Sequence, residues 1–459
     1  MRKKTVVKSS MLVSVILFTL LAFCCPASAD LKGGCARVNI TPPLGIPLIG
    51  SYGKPSDDVL DELYSKAIVL NDGENTVAIV SSDLLYAPLE EITAPVRRII
   101  NEKAGIPEQN ILVCATHTHS GPEVFTRSKL GPKAETESPK IDRSYLDTLV
   151  QKIASCVLIA HKNMQPVRLG AAKGSIPEIV YNRRPKNNDG LVNMAFTLPP
   201  EVRATRRIVT GPDGRTRVTF NLPDEQTEWH FGPIDPQVSV LRIENSDGGI
   251  VGSLVNFGCH PVTIYPHLST SISADYPVHA AGVVEQAEGG LCLFTLGLAG
   301  NAVPFDRGVS PCRQIGRALG GEALKRLQFV PTTDQVTVKG LKKKVVFPTK
   351  KVESADKTTA ESRGDVVTEF QVLRLGDVYI LGLPGEVLIE VGLEIKERAG
   401  LENLFIITLS NDSIGYVCPA AAYDEGGYEP TGATNLAKGA GEIMVKEALS
   451  LLEEIKSSR

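Results

Sequence analysis

The sequence of 459 residues has little of several features that would place a chain at once in a common class of protein. Its formal net charge is only −3, so it lacks the basic excess that usually marks a nucleic-acid binder. Its nine cysteines include no CxxC pair, which argues against a cysteine metal site and a dense disulfide framework. Beyond residue 29, no apolar run reaches the roughly 20 residues that a membrane span needs. We therefore expect a globular chain that binds no nucleic acid and, once mature, has no transmembrane segment.

The first 29 residues have the organisation of a signal peptide. A basic start at residues 2–4 precedes an apolar run at 11–23 and the small-residue motif Ala27-Ser28-Ala29. We expect cleavage before Asp30 and a mature protein that is secreted or periplasmic. A lipid anchor at Cys24 and an uncleaved apolar anchor are the alternatives. Export would permit disulfides, but the seven remaining cysteines are scattered, and those in apolar runs favour buried free thiols.

Strand and helix patterns alternate along the rest of the chain. Amphipathic stretches predict helices over 89–104, 145–161 and 441–455. Short apolar runs predict strands at 67–70, 76–81, 111–115, 238–243, 250–257, 291–296, 378–381 and 405–409. No internal repeat is visible. These patterns predict an α/β fold: a single large mixed α/β domain over 30–459, with a possible subdivision near residue 350 and a metal site at strand ends.

Two histidines follow one of these predicted strands. His117 and His119 come just after the run 111–115, in the segment Cys-Ala-Thr-His-Thr-His-Ser-Gly-Pro. Side chains two apart on a strand share a face, so both rings are expected to face one space. Imidazole is a common zinc ligand, and this pattern predicts a metal or catalytic site. The alternative is a pair of hydrogen-bonded structural histidines. The HxH pattern does not identify one fold, since several unrelated metallohydrolases use it.

Two further strands end in a candidate ligand. His260 follows the run 250–257, and Glu386 follows the predicted strand 378–381 after a Pro-Gly turn. Functional loops gather at strand ends in α/β sheets, so these residues are candidates for the same site. We expect Glu386 to open a helix, where a first-turn glutamate that only favours the helix dipole is the alternative.

Five motifs in order resemble the neutral/alkaline non-lysosomal ceramidase family, from about residue 35 to the end of the chain. They are His-Thr-His-Ser-Gly-Pro at 117–122, Asn-Arg-Arg-Pro at 182–185, Phe-Gly-Cys-His-Pro at 257–261, Pro-Gly-Glu at 384–386, and Gly-Tyr-Val at 415–417 followed by Tyr-Glu at 428–429. The second resembles the family's NRSP segment. The last preserves the family's spacing between two tyrosines.

This resemblance implies one catalytic Zn²⁺ per chain, held by His117, His260, Glu386 and Tyr416. It also implies that His119, Arg183 and Tyr428 line the reaction centre as catalytic groups. The implied activity is hydrolysis of a linear amide C–N bond in ceramide or another N-acyl compound. The nucleophile would be a zinc-activated water.

The chain departs from the family pattern at three places. Val303 stands where the family has a serine, which argues against a serine nucleophile. Arg184 adds a second cation beside Arg183, which we expect to favour an anionic substrate. Tyr-Glu-Pro-Thr-Gly-Ala at 428–433 replaces the family's YEGAST and alters a loop next to the expected site. We also expect a short member of the family, without the C-terminal immunoglobulin-like domain.

Two other functions remain open. His260, His279 and Asp306 can be fitted, with the HxH pair, to the two-metal site of an amidohydrolase-type enzyme. A non-catalytic relative that acts as a binding protein is the second alternative.

Overall fold

A computed structural model describes residues 31–51, 53–123, 142–222, 228–353, 360–362 and 364–458. The predicted signal peptide and its cleavage site lie outside these residues. The strands are β1 (Lys32–Asn39), β2 (Asp58–Val59), β3 (Tyr64–Asn71), β4 (Thr76–Ser82), β5 (Ile111–Ala115), β6 (Gln165–Pro166), β7 (Arg168–Ser175), β8 (Val180–Asn182), β9 (Arg207–Thr210), β10 (Thr216–Thr219), β11 (Gln237–Glu244), β12 (Ile250–Phe257), β13 (Ser271–Ile272), β14 (Leu291–Leu296), β15 (Ala302–Pro304), β16 (Val338–Phe347), β17 (Lys351–Glu353), β18 (Ala360–Ser362), β19 (Val366–Leu375), β20 (Val378–Gly382), β21 (Glu386–Val387), β22 (Asn403–Ile407) and β23 (Tyr416–Val417).

The helices alternate with these strands. They are α1 (Ala94–Ala104), α2 (Arg143–Lys162), α3 (Pro200–Arg203), α4 (Tyr276–Glu288), α5 (Val309–Leu327), α6 (Ile389–Ala399), α7 (Ala420–Glu425), α8 (Tyr428–Gly432) and α9 (Ala440–Ser457). A π-helical turn at Leu89–Thr93 leads into α1, so the predicted helix over 89–104 is present but changes its hydrogen bonding partway.

Three large sheets repeat one topology. In each, an antiparallel strand pair is followed by a helix and then by a strand that pairs in parallel with the second strand of the pair. The three units are β3-β4-α1-β5, β11-β12-α4-β14 and β19-β20-α6-β22. A further antiparallel strand, β1, β7 or β16, borders the first strand of each unit. The architecture is therefore repetitive although the sequence shows no repeat.

The three sheets bury both of their faces. Along β3, Ala67 and Val69 join one buried cluster while Ile68 and Leu70 join another, as the two-residue period of a strand requires. The second cluster collects side chains from all three sheets, so it is a core between the sheets. Helices pack on the other faces: α2 on β1 and β3, α4 on β14, α5 on β11, and α9 on β16 and β19. The predicted mixed α/β fold is confirmed.

The shared core brings the loops of the three units together. The loops that follow β4 and β5, β12 and β14, and β20 and β22 supply the candidate site described below. Residue 350 lies between β16 and β19, which pair with each other in the third sheet. The seven described cysteines are free thiols, six of them buried.

Candidate metal centre

A turn, and not the strand, brings the first two histidines together. β5 ends at Ala115, and His117 lies beyond it with a φ of 72°, in the left-handed region that side chains with a Cβ rarely occupy. Its backbone N–H donates to the Leu84 carbonyl at 2.8 Å. The rings of His117 and His119 nevertheless meet, with centroids 4.9 Å apart and planes at 77°. The two rings do face one space, but the expected reason, alternation along the strand, is wrong.

Backbone carbonyls fix the orientation of two of the imidazole rings. His117 Nδ1 lies 3.0 Å from the Leu85 carbonyl, and His260 Nδ1 lies 2.6 Å from the Ala299 carbonyl. A carbonyl only accepts, so each Nδ1 must carry the proton and donate it. Each Nε2 is then left with a lone pair that points to the centre. This is the arrangement that metal-ligating histidines usually adopt.

Glu386 and Tyr416 meet through a short parallel strand pair. β21 and β23 pair in a register that sets Glu386 directly beside Tyr416. Glu386 therefore does not open a helix, as the sequence pattern suggested, because the backbone stays extended to form this pair and α6 begins only at Ile389. The Tyr416 hydroxyl lies 3.4 Å from His260 Nε2.

The Glu386 carboxylate faces both oriented rings. Its Oε2 lies 3.1 Å from His260 Nε2 and 3.3 Å from His117 Nε2, while Oε1 accepts from the Tyr86 hydroxyl at 3.1 Å. With Nδ1 as the donor in each ring, a neutral imidazole turns a lone pair toward a carboxylate oxygen. Two electron-rich groups at this distance repel unless a cation lies between them or a ring is protonated.

The pKa values favour unprotonated rings. Burial lowers the pKa of His260 to about 4, with the Arg183 charge acting in the same direction. Burial also holds the pKa of His119 well below its usual range, helped by His117 and His260. For Glu386, burial would raise the pKa, and positive charge on the side of His117 and His260, from a protonated ring or a bound cation, holds the pKa well below normal instead. Neutral imidazoles and an ionised carboxylate are the forms that metals bind.

The donor set fits a divalent metal ion such as zinc. The ligand nitrogens of His117, His119 and His260 lie within 4.8 Å of one another, and His117 Nε2 and His119 Nε2 are buried without a hydrogen-bond partner. Glu386 Oε2 adds a carboxylate at ion-pair distance from two of these rings. The geometry brings His119 as close as the others, so the division between ligands and catalytic groups stays a prediction.

Arg183 lies behind the tyrosine of this cluster. Its Nη2 donates to the Tyr416 hydroxyl at 3.1 Å and to the Gly300 carbonyl at 2.9 Å, and its Nε donates to Glu429 Oε1 at 2.8 Å. Burial raises the pKa of Tyr416 well above its usual range, and the Glu386 charge adds to this while Arg183 opposes it. Arg183 is thus a fixed cation beside the one hydroxyl of the predicted ligand set.

The second arginine of the Asn-Arg-Arg-Pro motif is neutralised inside the protein. Arg184 Nη1 donates to Glu429 Oε2 at 2.6 Å, and its Nη2 donates to the Gly426 carbonyl at 2.9 Å and lies 3.5 Å from Glu425. Glu429 is completely buried between Arg183 and Arg184. The positive charge of Arg184 is therefore not presented to a substrate, contrary to the expectation from the motif.

Tyr428 and Val303 lie at opposite extremes of exposure. Tyr428 is 46 % exposed, and its ring lies 5.8 Å from that of Tyr416 and 5.7 Å from that of Phe196. It stands at the solvent side of the cluster. Val303 is fully buried in β15, opposite Tyr181 of β8. A side chain at position 303 packs in the core and contributes no nucleophile.

The alternative two-metal set does not assemble. His279 is a half-buried residue of α4 whose pKa burial lowers, and Asp306 pairs with Arg203 at 2.6 Å. Among the residues with described coordinates, neither belongs to the group of close ligand atoms around His117.

Sequence reasoning missed two residues of the site. Tyr86 follows the end of β4, the neighbour of β5, and strand-end position was the signal that could have found it. Glu429 stands next to Tyr428 in a quoted motif, but only the folded chain shows that it links Arg183 to Arg184.

Comparisons with known proteins agree with the family resemblance and with the fold. Residues 34–189 match the family model described as neutral/alkaline non-lysosomal ceramidase, N-terminal. Two curated relatives are neutral ceramidases A and B of Dictyostelium discoideum, 24 % identical over 229 residues and 23 % identical over 267 residues. These alignments cover 49 % and 57 % of this chain but only 27 % and 31 % of the relatives, so the chain matches about three tenths of their length.

The solved structures extend the likeness to nearly the whole chain. Neutral ceramidase from Pseudomonas aeruginosa shares the fold with a TM-score of 0.71 at 17 % identity, covering 93 % of this chain and 75 % of that one. A ceramidase complexed with C2 gives a TM-score of 0.69 with the same identity and coverage. The family resemblance of the sequence motifs is confirmed, and the chain is neutral-ceramidase-like. None of the helices within the described ranges is long and apolar enough to cross a membrane.

Proposed function

We propose that this chain is a zinc-dependent hydrolase of linear amide C–N bonds, acting on ceramide or another N-acyl compound. The family match and the neutral ceramidase relatives support the reaction class. The observation that carries the proposal is the approach of the Glu386 carboxylate to two imidazole nitrogens whose opposite ring nitrogens already donate to carbonyls. That convergence of acceptors calls for a cation.

His117, His260, Glu386 and Tyr416 would hold the zinc. When bound, the ion would supply Lewis acidity, which polarises an amide carbonyl and lowers the pKa of water.

The remaining residues of the site have roles that follow from their charge and position. His119 is partly buried, and its lowered pKa keeps it neutral, so it can accept a proton from water and pass it to the leaving amine nitrogen. Arg183 keeps its charge in the buried site, because the interactions with Tyr416 and Glu429 outweigh the effect of burial. It can therefore stabilise a developing oxyanion, and the half-exposed Tyr428 hydroxyl is placed to assist at the solvent side.

The proposal is tested by metal analysis and turnover on the same preparation. We expect one zinc per chain, hydrolysis of N-acyl sphingosine or N-acyl amino compounds, loss of activity with a chelator and recovery with zinc. Glu386→Gln should lose both zinc and activity, whereas His279→Ala, a histidine away from the cluster, should keep both. A preparation without stoichiometric metal, or one with two metals per chain that depend on His279, would refute the proposal.

We also propose that the protein acts outside the cytoplasm, as a secreted or periplasmic enzyme. The support is the basic, apolar and small-residue organisation of residues 1–29. N-terminal sequencing of the native protein should begin at Asp30. A native protein that starts at Met1, or that carries a lipid on Cys24, would contradict this.

A further inference from the structure

A cleft of about 320 Å³ opens beside Arg307 and Tyr181. Its lining mixes apolar side chains with the polar residues Tyr181, Thr197, Arg203, His267, Asp306 and Arg307. A volume of this size is at the small end of ligand pockets, so it suits a polar head group better than an acyl chain.

Arg307 connects this cleft to the reaction centre. Its Nη1 donates to the Tyr265 carbonyl at 3.3 Å, and its Nη2 donates to the Phe196 carbonyl at 2.8 Å. The Tyr265 ring lies 5.7 Å from that of His119, and the Arg183 guanidinium lies 5.3 Å from the Phe196 ring. Only one residue therefore separates Arg307 from each of two predicted catalytic groups.

No carboxylate in the described part of the chain forms a direct ion pair with Arg307, although the Asp275 charge acts on it from a distance. The neighbouring Asp306 carboxylate forms its ion pair with Arg203 and accepts only the backbone N–H of Arg307. The buried Asp275 is occupied by the Thr263 hydroxyl and by backbone N–H groups. Arg307 Nε is buried and has no hydrogen-bond partner. A guanidinium in this state is suited to an anion that arrives with a ligand.

We propose that the cleft binds an anionic group of the substrate against Arg307, so that the preferred substrate is an N-acyl compound whose amine part carries a carboxylate or phosphate. The proposal rests on the proposed amide hydrolysis and specifies its substrate class. It also moves the anion preference from Arg184, whose charge Glu429 neutralises, to Arg307.

The test compares pairs of amides in which one member carries an anionic group and the other is neutral. N-lauroylglycine is set against N-lauroylglycinamide, and N-lauroyl phosphoethanolamine against N-lauroylethanolamine, which separates a carboxylate preference from a phosphate preference. We expect kcat/KM at least about tenfold higher for an anionic member than for its neutral partner, because hydrogen bonds to charged groups are the stronger ones. Arg307→Gln should remove that preference by lowering kcat/KM far more for the anionic amides than for the neutral ones, and Arg307→Lys should retain part of it.

Two further variants keep the test independent of any effect of Arg307 on folding. Thr197→Glu places a negative charge on an exposed position of the cleft wall and should reverse the preference. Arg317→Gln, on an exposed position of α5, should change neither substrate pair. Equal losses on charged and neutral amides in Arg307→Gln, or a preference that Thr197→Glu does not alter, would overturn the proposal.

Binding separates this proposal from the proposed function. Calorimetric titration of the metal-loaded protein with N-lauroylglycine and N-lauroylglycinamide needs no turnover. Tighter, Arg307-dependent binding of the acid without hydrolysis would keep the anion site and refute amide hydrolysis. Hydrolysis without any charge preference would support amide hydrolysis and refute the anion site. Equal binding of the two compounds would refute the anion site whether or not they are cleaved.

Discussion

Replacing Glu429 with glutamine should destabilise the protein more than any other single change of a charged group near the site. The side chain is completely buried and accepts from Arg183 at 2.8 Å and from Arg184 at 2.6 Å. Glutamine has nearly the same shape but no charge, and it offers an amide N–H₂ to one of the two guanidinium groups. Glu429→Gln therefore leaves two nearly buried cations without their shared counter-charge.

The magnitude follows from the burial of all three groups. Breaking a buried ion pair by neutralising one partner costs about 3–5 kcal/mol, because the remaining charge stays desolvated. With an unfolding entropy of about 2.1 cal/mol/K per residue, a chain of this length should lose roughly 3–6 °C in Tm. Glu425→Gln is the matched control, since Glu425 is partly exposed and pairs with Lys186 and, at 3.5 Å, with Arg184. It should cost less than about 1 kcal/mol.

Urea unfolding followed by circular dichroism measures both variants. The double variant Arg184→Gln/Glu429→Gln removes one of the orphaned cations, so its loss should be smaller than the sum of the single losses by about 1–3 kcal/mol. A Glu429→Gln protein that is no less stable than Glu425→Gln would refute the buried-network reasoning. So would strict additivity in the double variant.

Acid should remove the stabilisation that the ionised Glu429 provides. Burial would raise the pKa of Glu429, but the charges of Arg183 and Arg184 outweigh it and lower the pKa in the folded state. A depressed carboxyl pKa gives stability that is fully present above the unfolded value of about 4.3 and is lost as the pH falls through the folded value. The difference in unfolding free energy between wild type and Glu429→Gln should therefore shrink below about pH 4. A difference that stays constant on acidification would contradict the assignment.

Three other predictions follow from single contacts. Gly300→Ala should lose zinc and about 1–3 kcal/mol, because the new Cβ would lie 2.7 Å from the backbone of β21, whereas Gly321→Ala, with open space around it in α5, should gain about 0.5–1 kcal/mol in urea melts. Burial raises the pKa of Asp83 to about 7, so the free energy of unfolding should fall as the pH rises from about 4 to 7. Near pH 8, Asp83→Asn should be at least as stable as wild type, by up to about 4 kcal/mol in free energy of unfolding, and a less stable variant there would contradict this. His117→Ala should lose zinc by elemental analysis, whereas His119→Ala should keep it and lose roughly 10²–10⁴-fold in rate; equal zinc loss would place His119 among the ligands.

The sequence predicts the elements whose burial is uniform and misses those set by pairing. β5 and β14 match the predicted runs to the residue, because both are short apolar strands buried on nearly every position. β16 carries four lysines in ten residues, and β7 contains two glycines and few apolar side chains, so neither has a strand pattern of its own. β16 and β7 form strands because they pair with β19 and β11, respectively. Pairing across long sequence separations leaves no local signal.

The site residues also divide into those that local patterns could predict and those whose position depends on long-range packing. Each predicted histidine is oriented inside its own unit: His117 on the carbonyl of Leu85, which follows β4, and His260 on that of Ala299, which follows β14. Local patterns could therefore identify these side chains as ligand candidates. Their meeting with Glu386 depends on the third unit, more than a hundred residues further along the chain, and on the core that the three sheets share.

Tyr416 shows why residue patterns alone could not complete the predicted ligand set, to which only the family resemblance added it. Tyr416 does not lie in an apolar repeat, at a predicted helix start or directly after a predicted strand. It reaches the site through the two-residue pair of β21 and β23. β20 and β22, which precede the two strands of this pair, lie side by side in the third sheet. A tyrosine placed by such a long-range pairing has a position that only the assembled topology defines. The candidate metal centre is thus a property of how the three units pack, while the orientation of His117 and His260 is a property of their own units.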